Sequence, residues 1–364
     1  MRVLVAPDKF AGTLTAVEAA RAVAEGWRRR APDDEIDLAP MSDGGPGFVD
    51  VLHATLGGEL LAVTVAGPDG VAVPATVLVV DDGPIRTAYV ETAQACGLHL
   101  VEGDPELATT VGVGELLLAA VGTGASTVVV GLGGSGTNDG GAGLLSALGA
   151  RSDGVLDGGG RSLDGLTTID LSAARAAVDG VTLVAASDVD SPLTGLFGAT
   201  KTFGPQKGIA EDRLPALDGV LERWAEVVDR RTSLEKGAGA AGGVGYALLV
   251  LGATRRPGID LVATAVRLRE RAGRADLVIT GEGAFDFSSR SGKVPYGVAS
   301  VAEQALRPCV ALAGQVLVGS REMRALGVES AYSLVDLVGE ERAFADPAGS
   351  LADLAERVAR TWSR

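Results

Sequence analysis

Short apolar runs and longer stretches of helical period take turns along this chain. Residues 3–6 are continuously apolar and of strand length. After a polar turn, Thr15 and Glu18 form a capping box. Ala19, Ala20, Val23 and Trp27 then recur at helical spacing, which predicts a helix to about residue 30. A second strand at 36–39 leads into a short helix that Gly57 and Gly58 end. From 60 to 91 the pattern changes. Segments 61–65, 71–80 and 85–90 are β-rich and separated by Gly, Asp and Pro turns, which predicts antiparallel hairpins. A helix over 113–121, strands at 127–130 and 181–186 and a long helix over 211–228 follow. Strands at 275–280, 309–313 and 331–334, with helices between them and a last helix from 351, look parallel.

This alternation predicts an α/β fold. Both ends of the chain share one style, short parallel-type strands with helical crossovers, and the middle differs. The expected organisation is a Rossmann-like parallel-sheet domain from residues 1–59 and 255–364, interrupted by an inserted mixed α/β domain over 60–254. The Gly/Ala tract at 237–245 reads as a hinge or a close-packing turn.

Composition narrows the function. The 364 residues include 47 acidic against 32 basic positions, and no basic stripe is visible, which argues against a nucleic-acid partner. Apolar runs are far too short to span a bilayer, so no membrane role is expected. Cys96 and Cys309 stand alone in apolar surroundings and suit a reducing cytoplasmic compartment as buried thiols. His53 and His99 lack Cys or His partners, which disfavours a histidine metal site or catalytic triad. The chain has only five Lys against 27 Arg, and Lys9, Lys207 and Lys293 each fall in a Gly- or Pro-containing segment. A compact point charge is a reason to keep Lys there.

Five loops follow predicted strands, where open α/β sheets gather ligands. In "PDKFAG", Lys9 next to Asp8 suits a phosphate or carboxylate, or equally a surface ion pair. In "SDGGPG", Asp43 could bind a metal, accept a hydroxyl proton or merely cap a helix. "GLGGSGTNDGGAG" holds seven glycines in thirteen residues, between a strand and a helix near Ala142. That setting suits a phosphate cradle of N–H groups and the Ser135 and Thr137 hydroxyls, against a close-packing turn. It is neither a Walker A loop nor a GxGxxG fingerprint. Residues 187–208 read as a long polar loop with Asp188, Asp190, Lys201, Gln206 and Lys207. Residues 280–297 read as another, with Glu282, Asp286, Arg290 and Lys293. Carboxylates beside cations are what phosphoryl transfer needs.

Together these segments resemble the type-1 glycerate kinase family. The match runs in order through "APDKFAGTLTAVEAA", "SDGGPGFVDVL", "VETAQACGL", "GLGGSGTNDGGAG", "SDVDSPLTGLFGATKTFGPQKG", "GAGAAGGVGYALL", "TGEGAFDFSSRSGKVPYGVA" and "LAGQV". Departures mark a subgroup: Lys9-Phe10-Ala11-Gly12 where the family often has Ser-Phe-Lys-Gly, Pro46 where it has Glu, Asp190-Ser191 where it has Thr-Asn, and Ser291 where it has His.

The resemblance implies Mg²⁺- and ATP-dependent phosphorylation of D-glycerate, most often at the 2-hydroxyl. On that reading, Gly133, Gly134, Ser135, Gly136, Thr137 and Asn138 hold ATP phosphates, and Asp188 or Glu282 holds Mg²⁺. Asp286 or Asp43 takes the hydroxyl proton. Lys9, Lys207, Arg290 and Lys293, with Asp8 beside them, bind the substrate carboxylate or the moving phosphoryl group. A cytoplasmic monomer or homodimer is expected. The rival readings are a glycerate 3-kinase, a kinase of another small hydroxy acid, and a non-catalytic sugar-acid sensor.

Overall fold

Val3, Leu4 and Val5 are fully buried, so the first apolar run becomes a strand covered on both faces. The computed structural model describes residues 1–10, 12–286 and 293–363. In chain order its strands are β1 (Arg2–Val5), β2 (Glu35–Leu38), β3 (Glu59–Ala66), β4 (Ala72–Asp82), β5 (Ile85–Glu91), β6 (Thr127–Gly131), β7 (Arg151–Ser152), β8 (Ile169–Asp170), β9 (Thr182–Ala186), β10 (Thr254–Arg256), β11 (Leu277–Phe285), β12 (Cys309–Val316) and β13 (Ser330–Ser333). The chain forms two compact units, residues 1–43, 50–56 and 259–364, and residues 44–49 and 57–258.

The first unit carries a parallel sheet in the order β13-β12-β11-β1-β2. This is the doubly wound arrangement in which strand order reverses beside the first strand, here between β1 and β11. Val3 and Val5 face the helices Ala16–Arg30 and Pro347–Trp362, together with Leu277, Ile279, Val310 and Leu312. The predicted capping box is present: the Glu18 N–H donates to Thr15 Oγ1, and the Thr15 N–H donates to the Glu18 carboxylate. The two helices approach closely because Gly26 has no side chain. A Cβ there would lie 1.8 Å from the Ala352 carbonyl oxygen.

The second unit carries a mixed sheet in the order β10-β9-β6-β5-β4-β3. The predicted hairpins are its antiparallel edge, β3 with β4 and β4 with β5. β5, β6, β9 and β10 run parallel. β7 and β8 form a separate two-stranded ribbon.

Three expectations change. β11 does not end at Thr280 but continues to Phe285, paired with β12 as far as Val316. The glycines that suggested a loop fit this ladder, since a Cβ at Gly281 would meet the Leu312 carbonyl at 2.2 Å. Residues 187–208 are not one loop: a helix at Ala199–Phe203 and a 3₁₀ turn at Pro205–Lys207 order their second half. The Gly/Ala tract is a close-packing turn. Gly242 is left-handed with a φ of 67°, and a Cβ there would lie 1.9 Å from the Thr137 carbonyl oxygen.

Candidate active site

In the first unit the chain leaving β1 keeps following β11. The Ala6 N–H donates to the Ile279 carbonyl and the Asp8 N–H to the Gly281 carbonyl at 2.8 Å, while Thr280 Oγ1 donates to the Ala6 carbonyl. Asp8 is thereby fixed at the point where strand order reverses, 7% exposed. Lys9 Nζ lies 3.9 Å from Asp8 and 4.0 Å from Asp43. Lys293 Nζ lies 3.6 Å from Glu282 and 3.7 Å from Asp286. Each lysine thus touches two carboxylates, one buried and one more open.

Lys293 also occupies the N-cap of the helix Val294–Gln304. A cation is disfavoured at that end of a helix dipole, and the two carboxylates offset the cost. Burial pushes the Asp8 carboxyl up to about 7; Asp43 and Glu282 push the same way, and Lys9 opposes them. Four carboxylates against two ammonium groups leave a local excess of negative charge that favours an added cation.

In the second unit, two glycine loops that lie far apart in sequence meet. A Cβ at Gly133 would lie 2.6 Å from Gly45 Cα, and one at Gly134 would lie 2.7 Å from Pro46 Cγ. Glycine is needed at positions 133 and 134 for this contact. Gly134 accepts from the Leu98 N–H, and Gly136 donates to the Cys96 carbonyl. Among the described residues no backbone acceptor pairs with the N–H groups of Gly133, Gly134 or Ser135. These loops therefore pack closely and still leave donors for an anion.

Lys207 lies beneath the same loop, only 6% exposed. Its Nζ donates to Ser135 Oγ at 3.1 Å and to the Thr137 carbonyl at 2.7 Å. Burial lowers its pKa to about 8, with Cys96 and Asp139 opposing the shift. Asn138 Nδ2 donates to Thr200 Oγ1, whereas Asn138 Oδ1 is buried with no hydrogen-bond partner among the described residues. Lys201 pairs with Asp218, and Asp190 with Lys236 and Arg255. Asp188 is half-buried just after β9. Arg290 and Ser291 lie outside the described residues.

The structure therefore gathers Asp8, Lys9, Asp43, Glu282, Asp286 and Lys293 in one unit. It gathers Gly133, Gly134, Ser135, Gly136, Thr137, Asn138 and Lys207 in the other. Two acids escaped the sequence reading. Asp139, fully buried, accepts from Thr110 N–H and Oγ1 and from the Gly141 and Gly143 N–H groups. Its place inside the glycine loop was the available signal. Glu91, at the end of β5, accepts from the Gly47 and Val49 N–H groups. It caps the helix Phe48–Leu56, the role that a capping Asp43 would have filled.

Among the described residues no three Asp, Glu, His or Cys side chains form a metal cage, and no helix is long and apolar enough to cross a membrane. One or two carboxylates with phosphate and water is the usual Mg²⁺ set, so the Asp8 and Glu282 carboxylates fit that ion without a cage.

A doubly wound sheet with paired carboxylates and lysines at its reversal point is the layout of an enzyme that handles small anions, and comparison makes that enzyme a kinase. The chain belongs to the glycerate kinase family, whose profile matches residues 3–363. It is 38% identical over 374 residues to glycerate 2-kinase of Escherichia coli K12, covering 99% of this chain and 98% of that one. It is 41% identical over 347 residues to glycerate kinase of Bacillus subtilis 168, covering 92% and 90%. A crystal structure of a Salmonella typhimurium LT2 protein designated glycerate kinase 2 superposes with a TM-score of 0.82 at 36% identity, covering 99% of this chain and 98% of that one. The non-catalytic sensor reading falls with these matches.

Proposed function

We propose that this protein transfers the γ-phosphoryl group of ATP to the 2-hydroxyl of D-glycerate, releasing ADP and 2-phosphoglycerate. The observation that carries this reading is the pair of lysines, each within 4.0 Å of two carboxylates, at the reversal point of the parallel sheet. The glycerate hydroxyl oxygen attacks the γ-phosphorus, the bond to the β-phosphate oxygen breaks, and the hydroxyl proton passes to Asp286 or Asp43. Both are more exposed than Asp8 and Glu282, so each presents carboxylate surface to a substrate. Lys9 and Lys293 neutralise the glycerate carboxylate and the migrating group. Arg290 belongs to the same set by sequence.

Asp8 and Glu282 would hold Mg²⁺, with Asp188 the other candidate. The ion would supply positive charge on the phosphate oxygens. The N–H groups of Gly133, Gly134 and Ser135 would hold phosphate oxygens. Lys207, with Gly136, Thr137 and Asn138, shapes that loop from beneath.

The test is a turnover assay with D-glycerate and Mg-ATP, coupled to enolase without a mutase. Enolase accepts only 2-phosphoglycerate, so a signal supports the 2-kinase. Glycerate-dependent ADP release without that signal assigns the 3-hydroxyl instead. No ADP release with glycerate overturns the substrate and points to another small hydroxy acid.

A further inference from the structure

Four strands end the two main sheets, and three of them are poor templates for another chain. β2 and β13 are four residues long and β10 is three; β2 carries Glu35 and Asp37, and β10 carries Arg255 and Arg256. Short or charged edges resist pairing. β3 differs. It runs for eight residues, Glu59–Ala66, with one charge at its start, no proline and no bulge in its register with β4.

Two hydrogen bonds show which backbone groups β3 turns outward. The Ala66 N–H leaves the sheet and donates to Glu115 of the helix Val111–Gly122 at 2.6 Å. Thr76, opposite Ala62 on β4, turns its N–H away from β3 to Gln94 at 2.7 Å. Backbone direction alternates along an antiparallel strand, so Leu60, Ala62 and Thr64 also point their N–H and C=O groups out of the edge. All three residues are exposed, and among the described residues no hydrogen-bond partner meets them on that side. Glu115 closes the row at Ala66. Leu118, one turn further along the same side of that helix, is 37% exposed and flanks the edge with apolar surface.

We propose that this edge pairs with the same edge of a second copy of the chain, antiparallel about a two-fold axis at Ala62. In that register Ala62 faces its own counterpart and Leu60 faces Thr64 on either side. All three outward residues then form hydrogen-bonded pairs, each exchanging two bonds. On the opposite face Leu61 lies against Val63, an apolar pair that the symmetry repeats. Moving the axis by one residue would set Thr64 against Gly58, outside the strand, or Leu60 against Ala66, whose N–H Glu115 already holds. Charge favours a copy at this edge over any other part of the surface. The chain carries a formal net charge of −15, which repels a copy in general, yet here the two Glu59 side chains stand six positions apart, roughly 20 Å. The contact is isologous and uses up both open edges, so it closes as a dimer with one continuous sheet.

Light scattering on a sizing column should give the wild-type protein the mass of two chains. Ala62→Pro removes an outward N–H that the β3–β4 ladder does not use, and Thr64→Lys sets a charge against Leu60 of the copy. Each is expected to halve the mass while leaving the circular dichroism spectrum unchanged. Ala62→Cys reports the register. Its two Cα atoms would stand about 5.5 Å apart and should cross-link as a disulfide, whereas those of Glu59→Cys, roughly 20 Å apart, should not. A wild-type mass of one chain, or of more than two, overturns the proposal. So does either folded variant, Ala62→Pro or Thr64→Lys, that keeps the mass of two chains. If those variants fail to fold, the cysteine pair decides alone: cross-linking at 62 and not at 59 supports the two-fold register, and any other pattern overturns it.

Discussion

Replacing Lys207 by Met tests whether a buried ammonium group really sits under the glycine loop. In the fold the Lys207 pKa lies at about 8 rather than the ordinary 10.5, because burial disfavours the charge. Between those two values the unfolded chain holds the proton and the folded chain does not. Stability therefore rises with pH across that window. At neutral pH the charged form costs the wild-type protein roughly 3 kcal/mol relative to a Lys of ordinary affinity. The Met variant escapes this cost but leaves Ser135 Oγ and the Thr137 carbonyl without their donor. Charge-assisted hydrogen bonds contribute about 1.5–3 kcal/mol each, so the two effects offset near pH 7.

The diagnostic is the difference curve, not either stability alone. Urea midpoints for wild type and variant, measured in steps from about pH 7 to 9.5, should show wild type gaining roughly 2 kcal/mol on the variant. The neighbouring Cys96 thiol, which burial pushes up to about 12, is common to both proteins, so its titration in the unfolded chain cancels from the difference curve. Parallel curves across the window would refute a buried, charged Lys207. On the proposed function, the same variant should raise the KM for ATP more than that for glycerate, since the loop it shapes holds phosphate.

Asp286→Ala should lower kcat by about a hundredfold or more if that carboxylate takes the hydroxyl proton; unchanged turnover would move the role to Asp43. Mg²⁺ should raise the melting temperature more at pH 8 than at pH 6, because Asp8 must lose a proton held at about 7 to face the ion; Asp8→Asn should remove that pH dependence. Gly26→Ala should destabilise by about 3 kcal/mol, since its Cβ would meet the Ala352 carbonyl at 1.8 Å, whereas Gly273→Ala in the helix Leu268–Arg274 meets nothing within 4 Å and should gain roughly 0.5–1 kcal/mol; equal melting shifts would refute the packing argument.

Local signals were readable from the sequence. The Thr15–Glu18 capping box, the hairpins of β3 to β5 and the parallel strands each follow from neighbouring residues. The signals that failed are those set by distant partners. Two glycines, a glutamate and an alanine between Thr280 and Phe285 have poor strand propensity, and only the ladder with β12 makes them a strand. Lys207 sits in a polar segment, and nothing nearby in sequence announces that its ammonium group is buried against Ser135 and Thr137. Glu91 caps a helix that begins more than forty residues before it. The chemistry-bearing residues were legible as residue types at strand ends, but not which of them would meet.

The extension of β11 makes the acid cluster a matter of parity. Side chains alternate along a strand, so Glu282 shares a face with Ala284, and Gly281, Gly283 and Phe285 take the other. Deleting one residue between Leu277 and Gly281 would turn Glu282 away from Lys293 and bring a carboxylate to the side where β11 meets apolar packing. Deleting two would keep its face and slide it by roughly 7 Å along the ladder. Lineages descended from this chain can therefore change the identity of these residues far more readily than their count.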